Sequence, residues 1–132
     1  MLQLVYISSV HPVGSAADMD AILKVSRRNN RRDAISGLLY FDGTRFLQVL
    51  EGPESAVEAA YARIRADDRH RGTVVMLRRP IDQREFGAWA MAHRTADVDA
   101  DTFLLQLSAL VAKAAPRVRA TFESFAMIRS AA

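Results

Sequence analysis

Two short apolar runs, Ile35–Phe41 and Arg45–Leu50, are separated by little more than the dipeptide Asp42-Gly43. That dipeptide tolerates the positive backbone angles of a tight turn, so the two runs are expected to pair as a hairpin. The rest of the chain is read around it. Leu2–Ser8, rich in Leu, Val, Tyr and Ile, is a strand ahead of the hairpin. Pro12 and Gly14 mark a loop over His11–Ser15, and Ser15 with Asp18 resembles a capping box. A helix should follow to about Arg31, with Met19, Ile22, Leu23, Ser26 and Asn30 on one face. Two polar residues on that face either meet polar partners or lie at its edge. Gly37, inside the first run, suggests a bulge or the close approach of something large.

Beyond the hairpin, Glu51-Gly52-Pro53 reads as the turn that closes it and opens a second helix. The inward face of that helix is Val57, Ala60, Tyr61 and Ile64, and Asp67–Gly72 ends it. Thr73–Leu77 is a further strand, Arg79–Glu85 a connection, and Phe86–His93 an edge strand or extended segment. The order is βαββαββ. Its βαββαβ portion is the ferredoxin-like pattern, an α+β fold in which two helices lie on one face of a mixed sheet. The groove between those helices, floored by strands, is the natural pocket. After Thr95, Phe103, Leu104, Leu107, Leu110 and Val111 suggest a helix over residues 100–114 that Pro116 breaks. Phe122, Phe125, Ala126 and Ile128 suggest a second, short helix. We therefore expect a first unit over residues 1–95. A helical tail over 96–132 would pack on the free face of the sheet or at a subunit interface.

Half of the 132 residues are hydrophobic, enough for a core. The chain has no cysteine, which excludes a disulfide scaffold, a thiolate metal site and a cysteine nucleophile. No leader-like segment and no bilayer-length apolar run is visible, so a soluble, cytoplasmic protein without membrane attachment is expected. A net charge of +3 says little about long-range attraction. One cluster is dense: Arg27, Arg28, Arg31 and Arg32 surround Asn29 and Asn30. It reads first as solvated surface at a helix end, where each cation gains about 0.3–1 kcal/mol. Anion binding is the main alternative, and nucleic-acid binding a lesser one.

Within the strands, Leu4, Tyr6 and Ser8 share one face, as do Phe46, Gln48 and Leu50. Gln48 therefore lies inside an apolar pattern. A buried carboxamide without partners costs about 1–3 kcal/mol. It has both donors and an acceptor, so its orientation can carry information. Each candidate also has a plainer reading. Tyr6 could be a core tyrosine, Gln48 could meet a strand end or water, and Asn29 and Asn30 could simply end a helix. Packing alone could account for Trp89 and Met91. Their joint placement around one groove points to a site without naming its ligand.

The residues also carry a resemblance. The segments are Leu4-Val5-Tyr6-Ile7-Ser8, Ser26-Arg27-Arg28-Asn29-Asn30 and Ile35-Ser36-Gly37-Leu38-Leu39. Gly43-Thr44-Arg45-Phe46-Leu47-Gln48-Val49-Leu50-Glu51-Gly52 and Trp89-Ala90-Met91 follow. With these segments the first 94 residues resemble the BLUF family, blue-light sensors that use FAD. The resemblance implies an oxidised, noncovalent flavin, with FMN or riboflavin as substitutes in recombinant material. It implies that Tyr6 bonds to Gln48 and that the Gln48 amide faces the flavin. Asn30, with Asn29 and Ser26 nearby, would meet the polar edge of the ring. Ile22, Ile64 and Phe46 would flank it, and Arg63 would contact phosphate. Met91 is expected as the nearer modulator of Gln48, with Trp89 as the alternative. Light would drive a transient electron and proton transfer from Tyr6 that leaves the Gln48 hydrogen bonds rearranged.

The resemblance further implies a sensor and not an enzyme, with no metal. With no room for a catalytic output domain after the small tail, the chain is expected to signal to a separate, unidentified partner protein or through assembly, and the sheet's other face and the apolar tail suggest a homo-oligomer. Ala92-His93-Arg94 departs from the Gly-Phe-Arg often found after the methionine, which leaves the output open. Two other functions are weighed beside it. An RNA-binding ferredoxin-like module would need exposed sheet aromatics, and the family signature for one is missing. A small flavin oxidoreductase would need a substrate route to the ring. Asp67, Asp68 and His70 lie close in sequence without a nucleophile constellation. Neither nucleic acid nor membrane is expected as a partner.

Overall fold

The computed structural model describes residues 1–10, 16–41, 45–66, 70–86, 89–93 and 100–131. Along them run β1 (Leu2–Val10), α1 (Ala16–Arg32), β2 (Ser36–Phe41), β3 (Arg45–Gly52) and α2 (Glu54–Ala66). β4 (His70–Pro80), β5 (Trp89–His93), α3 (Ala100–Leu110) and α4 (Pro116–Ala131) follow. The strands form one sheet in the order β4-β1-β3-β2-β5. Every pairing is antiparallel except that of β5, which adds parallel to β2. This is the expected α+β, βαββαββ arrangement. Residues 42–44, and the His11–Ser15 loop with the Ser15 end of its cap, lie outside the described residues. Phe41 and Phe46 are paired across the position of the Asp42-Gly43 turn.

Alternation along the strands produces two cores. Leu2, Leu4 and Tyr6 of β1 join Ile35 and Leu50, and Val57 and Ala60 of α2 cover them. The opposite side chains, Val5, Leu38, Tyr40, Leu47 and Val49, meet Leu107, Val111, Ala114, Val118 and Phe122 of the tail. Because both faces are covered, β2 is buried along its whole length. Each large apolar side chain buried there contributes roughly 1.5–3 kcal/mol.

Several boundaries differ from the sequence reading. Glu51 and Gly52 are not a turn but the end of β3, paired with Gln3 and Leu2. Strand pairing continues because the Glu51 carboxylate is satisfied internally. It accepts from Gln3 Nε2 at 2.8 Å and from the backbone N–H groups of Glu85 and Phe86 at 3.0 and 2.8 Å. Phe86 is accordingly not in a strand. Its amide serves Glu51 and its ring enters the tail-side core.

β4 is longer than expected. Gly72, at φ 58°, and two register irregularities against β1 let pairing run past the point where the sequence suggested a turn. Gly37 does mark a close approach, but by the neighbouring strand. Its φ is 153°, and a Cβ there would collide with the Val49 carbonyl. Pro116 opens α4, where its missing N–H is harmless, and α4 is a long helix.

Candidate functional site

Strand register sets the site. Val75, Tyr6, Gln48, Leu39 and Met91 form one row across all five strands. Tyr6 and Gln48 are direct cross-strand partners, so their side chains leave the same face of the pleat. They point to the helix side, and the Tyr6 hydroxyl donates to Gln48 Oε1. Both are buried, at 1% and 3% exposure, so each polar group depends on such internal partners. The Tyr61 ring of α2 meets Tyr6 edge-on, with centroids 5.3 Å apart. Burial first, and the neighbouring Tyr61 second, push the Tyr6 phenol far above its ordinary pKa.

The helices frame this floor. α2 contacts β1, β3 and β4, whereas α1 contacts β5. The strip of sheet carrying Gln48 therefore lies between them. α1 brings Ser26 and Asn29, half-buried, and Asn30, buried at 5% exposure. Asn30 is fixed by the way the helix stops. Ala34 adopts the left-handed conformation at φ 59°, and the Ile35 N–H donates back to Asn30 O at 2.8 Å. The Ala34 N–H reaches Arg31 O at 3.4 Å, completing the Schellman pattern.

Half-buried Ile64 packs on the Tyr6 core from α2. Phe46, buried at one end of the strip, stacks on Phe41 at 4.7 Å. Ile22 lies in α1, and Trp89 and Met91 in β5, but their side chains are outside the described residues. The backbone pairs Met91 with Leu39, the partner of Gln48, and Trp89 with Gly37, the partner of Leu50.

Arg63 stands at the outer edge of α2 and donates to Asp33 Oδ2 at 3.2 Å. Asp33 also accepts from Arg32, and the Arg32 bond, more than Arg63, holds its carboxyl below the usual range. Two guanidiniums on one carboxylate leave this corner cationic. Arg27, Arg28 and Arg31 of the dense cluster are exposed on α1. Asp67 and Asp68 lie outside the described residues. Among the described residues no group of His, Asp and Glu could hold a metal ion. Tyr6 and Phe46 are buried, so neither offers a face on which RNA bases could stack.

Two residues that the sequence reading left unassigned organise the side of the site away from α2. Glu51 anchors the 81–86 connection as described above. The neighbouring Glu85 pairs with Arg79 and accepts from the Ala115 N–H at 2.8 Å, at the start of α4. Arg84 donates to Ser36 Oγ, Glu51 O and Ala34 O at 2.7, 2.8 and 2.7 Å. The available signal for Glu51 was its place in line with Leu47 and Val49, an acid continuing an apolar strand face. Arg84 gave none, since an arginine in a connection is ordinary.

The arrangement suits a planar ligand with acceptors along one edge. Gln48 has its oxygen engaged by Tyr6, and its nitrogen carries two donor hydrogens. The Asn30 carboxamide can both donate and accept. Of its flanking side chains, Ile64 and Phe46 are apolar. Among the described side chains of this site, none pairs a nucleophile with a base.

Comparison with known proteins agrees with this chemistry. The family model for BLUF, sensors of blue-light using FAD, matches residues 1–92. The photoactivated adenylate cyclase subunit alpha of Euglena gracilis is 37% identical over 89 residues, covering 67% of this chain and 9% of that protein. The structure of Klebsiella pneumoniae BlrP1 with FMN and cyclic diGMP superposes with a TM-score of 0.70 at 35% identity. That match covers 80% of this chain and 29% of BlrP1. The dark-state structure of BlrB, a BLUF protein, gives a TM-score of 0.69 at 28% identity, covering 98% of this chain and 93% of BlrB. The chain thus spans only a small part of the curated relatives it matches.

Proposed function

The chain belongs to the BLUF family of flavin-binding, light-sensing signalling domains, and from that premise we propose that it holds FAD between α1 and α2, above the Tyr6–Gln48 pair. The observation that carries the placement is that pair: a buried phenol bonded to a buried carboxamide in one register row. Asn30 takes the polar edge of the ring, with Asn29 and Ser26 beside it. Ile22, Ile64 and Phe46 flank it, and Arg63 reaches the phosphates from its cationic corner with Asp33. Met91 modulates Gln48 across β2, in preference to Trp89. FMN or riboflavin can take the same place in recombinant material.

Bound flavin supplies the blue-light absorption and an electron-accepting excited state. The protein supplies what surrounds it. Tyr6 is neutral, because burial disfavours its anion. An electron leaving Tyr6 therefore takes the phenolic proton with it, and the described acceptor of that proton is Gln48 Oε1. When the electron and proton return to Tyr6, nothing has been oxidised overall. Gln48, whose amide can present either end, is left with its hydrogen bonds rearranged. The domain is a sensory module. We place it in the cytoplasm, with a first unit over residues 1–95 and a tail over 96–132. It signals to a separate partner protein and assembles as a homo-oligomer.

Absorption spectroscopy tests this. Purified protein should be yellow, and blue light should give a red shift that reverses in darkness. Gln48→Leu should bind flavin but lack the shifted product. Protein that stays colourless after incubation with FAD, or a normal red shift in Gln48→Leu, would refute the reading.

A further inference from the structure

Arg84 lies in the connection between β4 and β5, far in sequence from Asn30. Its guanidinium nevertheless ties together three elements: the turn after α1 through Ala34 O, the start of β2 through Ser36 Oγ, and the end of β3 through Glu51 O. The first bond has a specific geometric consequence. The Ala34 carbonyl and the Ile35 N–H belong to one peptide group, which is planar and turns as a unit. Arg84 holds its oxygen at 2.7 Å, and Asn30 O receives its N–H at 2.8 Å. The peptide that closes α1 on Asn30 is thus clamped at both ends.

The clamp also supports a costly conformation. Ala34 is a non-glycine residue in the left-handed region, which favours glycine or asparagine. The turn is pressed onto the end of β3 as well. A Cβ on Gly52 would come within 2.8 Å of the same Ala34 oxygen. Gly52 leaves open the space through which this carbonyl reaches the Arg84 fork.

We propose that Arg84 is a positioning residue for the flavin site, acting through the Ala34–Ile35 peptide to set where Asn30 presents its carboxamide. This rests on the proposed role of Asn30. A planar fork suits three acceptors from three directions, whereas lysine offers a single point of charge. Arg84→Lys should therefore recover only part of the function.

The test is a double-mutant cycle on the flavin-binding protein. Flavin affinity is measured by fluorescence titration, and the flavin carbonyl bands by infrared difference spectroscopy. Asn30→Ala and Arg84→Ala should each weaken flavin binding about tenfold, the loss of one well-made hydrogen bond to the ligand. Both should shift the carbonyl bands. The combined variant should be no weaker than Asn30→Ala alone, because Arg84 acts only through Asn30. Arg84→Lys should lie between wild type and Arg84→Ala, and it carries the cycle if the alanine variant does not fold.

A purely structural Arg84 would give a different pattern: lower melting temperature, unshifted carbonyl bands, and additive losses in the double variant. That pattern overturns the proposal and leaves the photoreceptor reading standing. Wild-type protein that takes up no flavin overturns both.

Discussion

Tyr6 and Gln48 each bury a polar group that the other satisfies, and this mutual dependence has a measurable consequence. Tyr6→Phe removes one hydroxyl and leaves the Gln48 carbonyl oxygen without its phenolic donor. Gln48→Leu leaves the hydroxyl without its acceptor. Each single change should destabilise flavin-stripped protein by about 1–3 kcal/mol, the cost of stranding a buried polar group. The double variant removes both groups and should be more stable than the sum of the singles by a similar amount. Urea denaturation of the four proteins measures this, and simple additivity would mean the bond contributes nothing to the folded state. In the flavin-loaded protein Tyr6→Phe should retain the yellow colour and lose the red-shifted product. Both residues were legible in sequence from face alternation, Gln48 as a polar break between Phe46 and Leu50. Alternation alone did not give their contact, which depends on a register that joins residues 42 positions apart; only the family resemblance implied it. Asn30 was visible as a polar residue on an inward helix face. The clamp that fixes it was invisible, since it comes from a connection whose path is set by Glu51.

At the level of elements, periodicity exposed every strand and both sheet-flanking helices, while the ends went astray wherever tertiary bonds outweighed local signals. Glu51-Gly52-Pro53 has the composition of a turn, yet three donors to one carboxylate extend the strand to Gly52. Gly72 looks like a helix-terminating loop residue, yet β1 pairs beyond it. Gly37, where the neighbouring strand approaches closely, and Gly72, which has open space, make glycine substitutions a discriminating test. Gly37→Ala combines an unfavourable φ with a collision against the Val49 backbone, inside a strand buried on both faces. It should cost about 3 kcal/mol or more. Gly72→Ala meets nothing within 4 Å and carries only the left-handed penalty, about 1–2 kcal/mol. Thermal unfolding should separate the two clearly. Equal losses would show that the close approach of β3 to Gly37 is relieved at little cost.

Across the whole molecule the sheet is a shared wall between two cores. The flavin-side core draws on β1, Ile35, β3 and α2, and none of its described buried residues comes from the tail. The other core joins the tail to Leu47 and Val49, the two residues that flank Gln48 along β3. Their side chains point away from Gln48, but all three share one strand backbone. Packing in the tail therefore bears on the strand that carries Gln48, the amide proposed to switch, from the opposite face of the sheet. Phe122, fully buried among the tail contacts, is the place to test this. Phe122→Ala should lower stability by about 3–5 kcal/mol, through lost burial and the cavity left behind. The folded fraction should keep its dark absorption spectrum, since the flavin-side core is intact. Its return from the red-shifted state should change in rate, because in the proposed cycle Gln48 resets its hydrogen bonds within a strand no longer held firmly from behind. Absorbance followed after a light pulse measures the rate. An unchanged recovery, with melting temperature lowered as expected, would reduce the tail to a support for the sheet and remove it from the path of the signal.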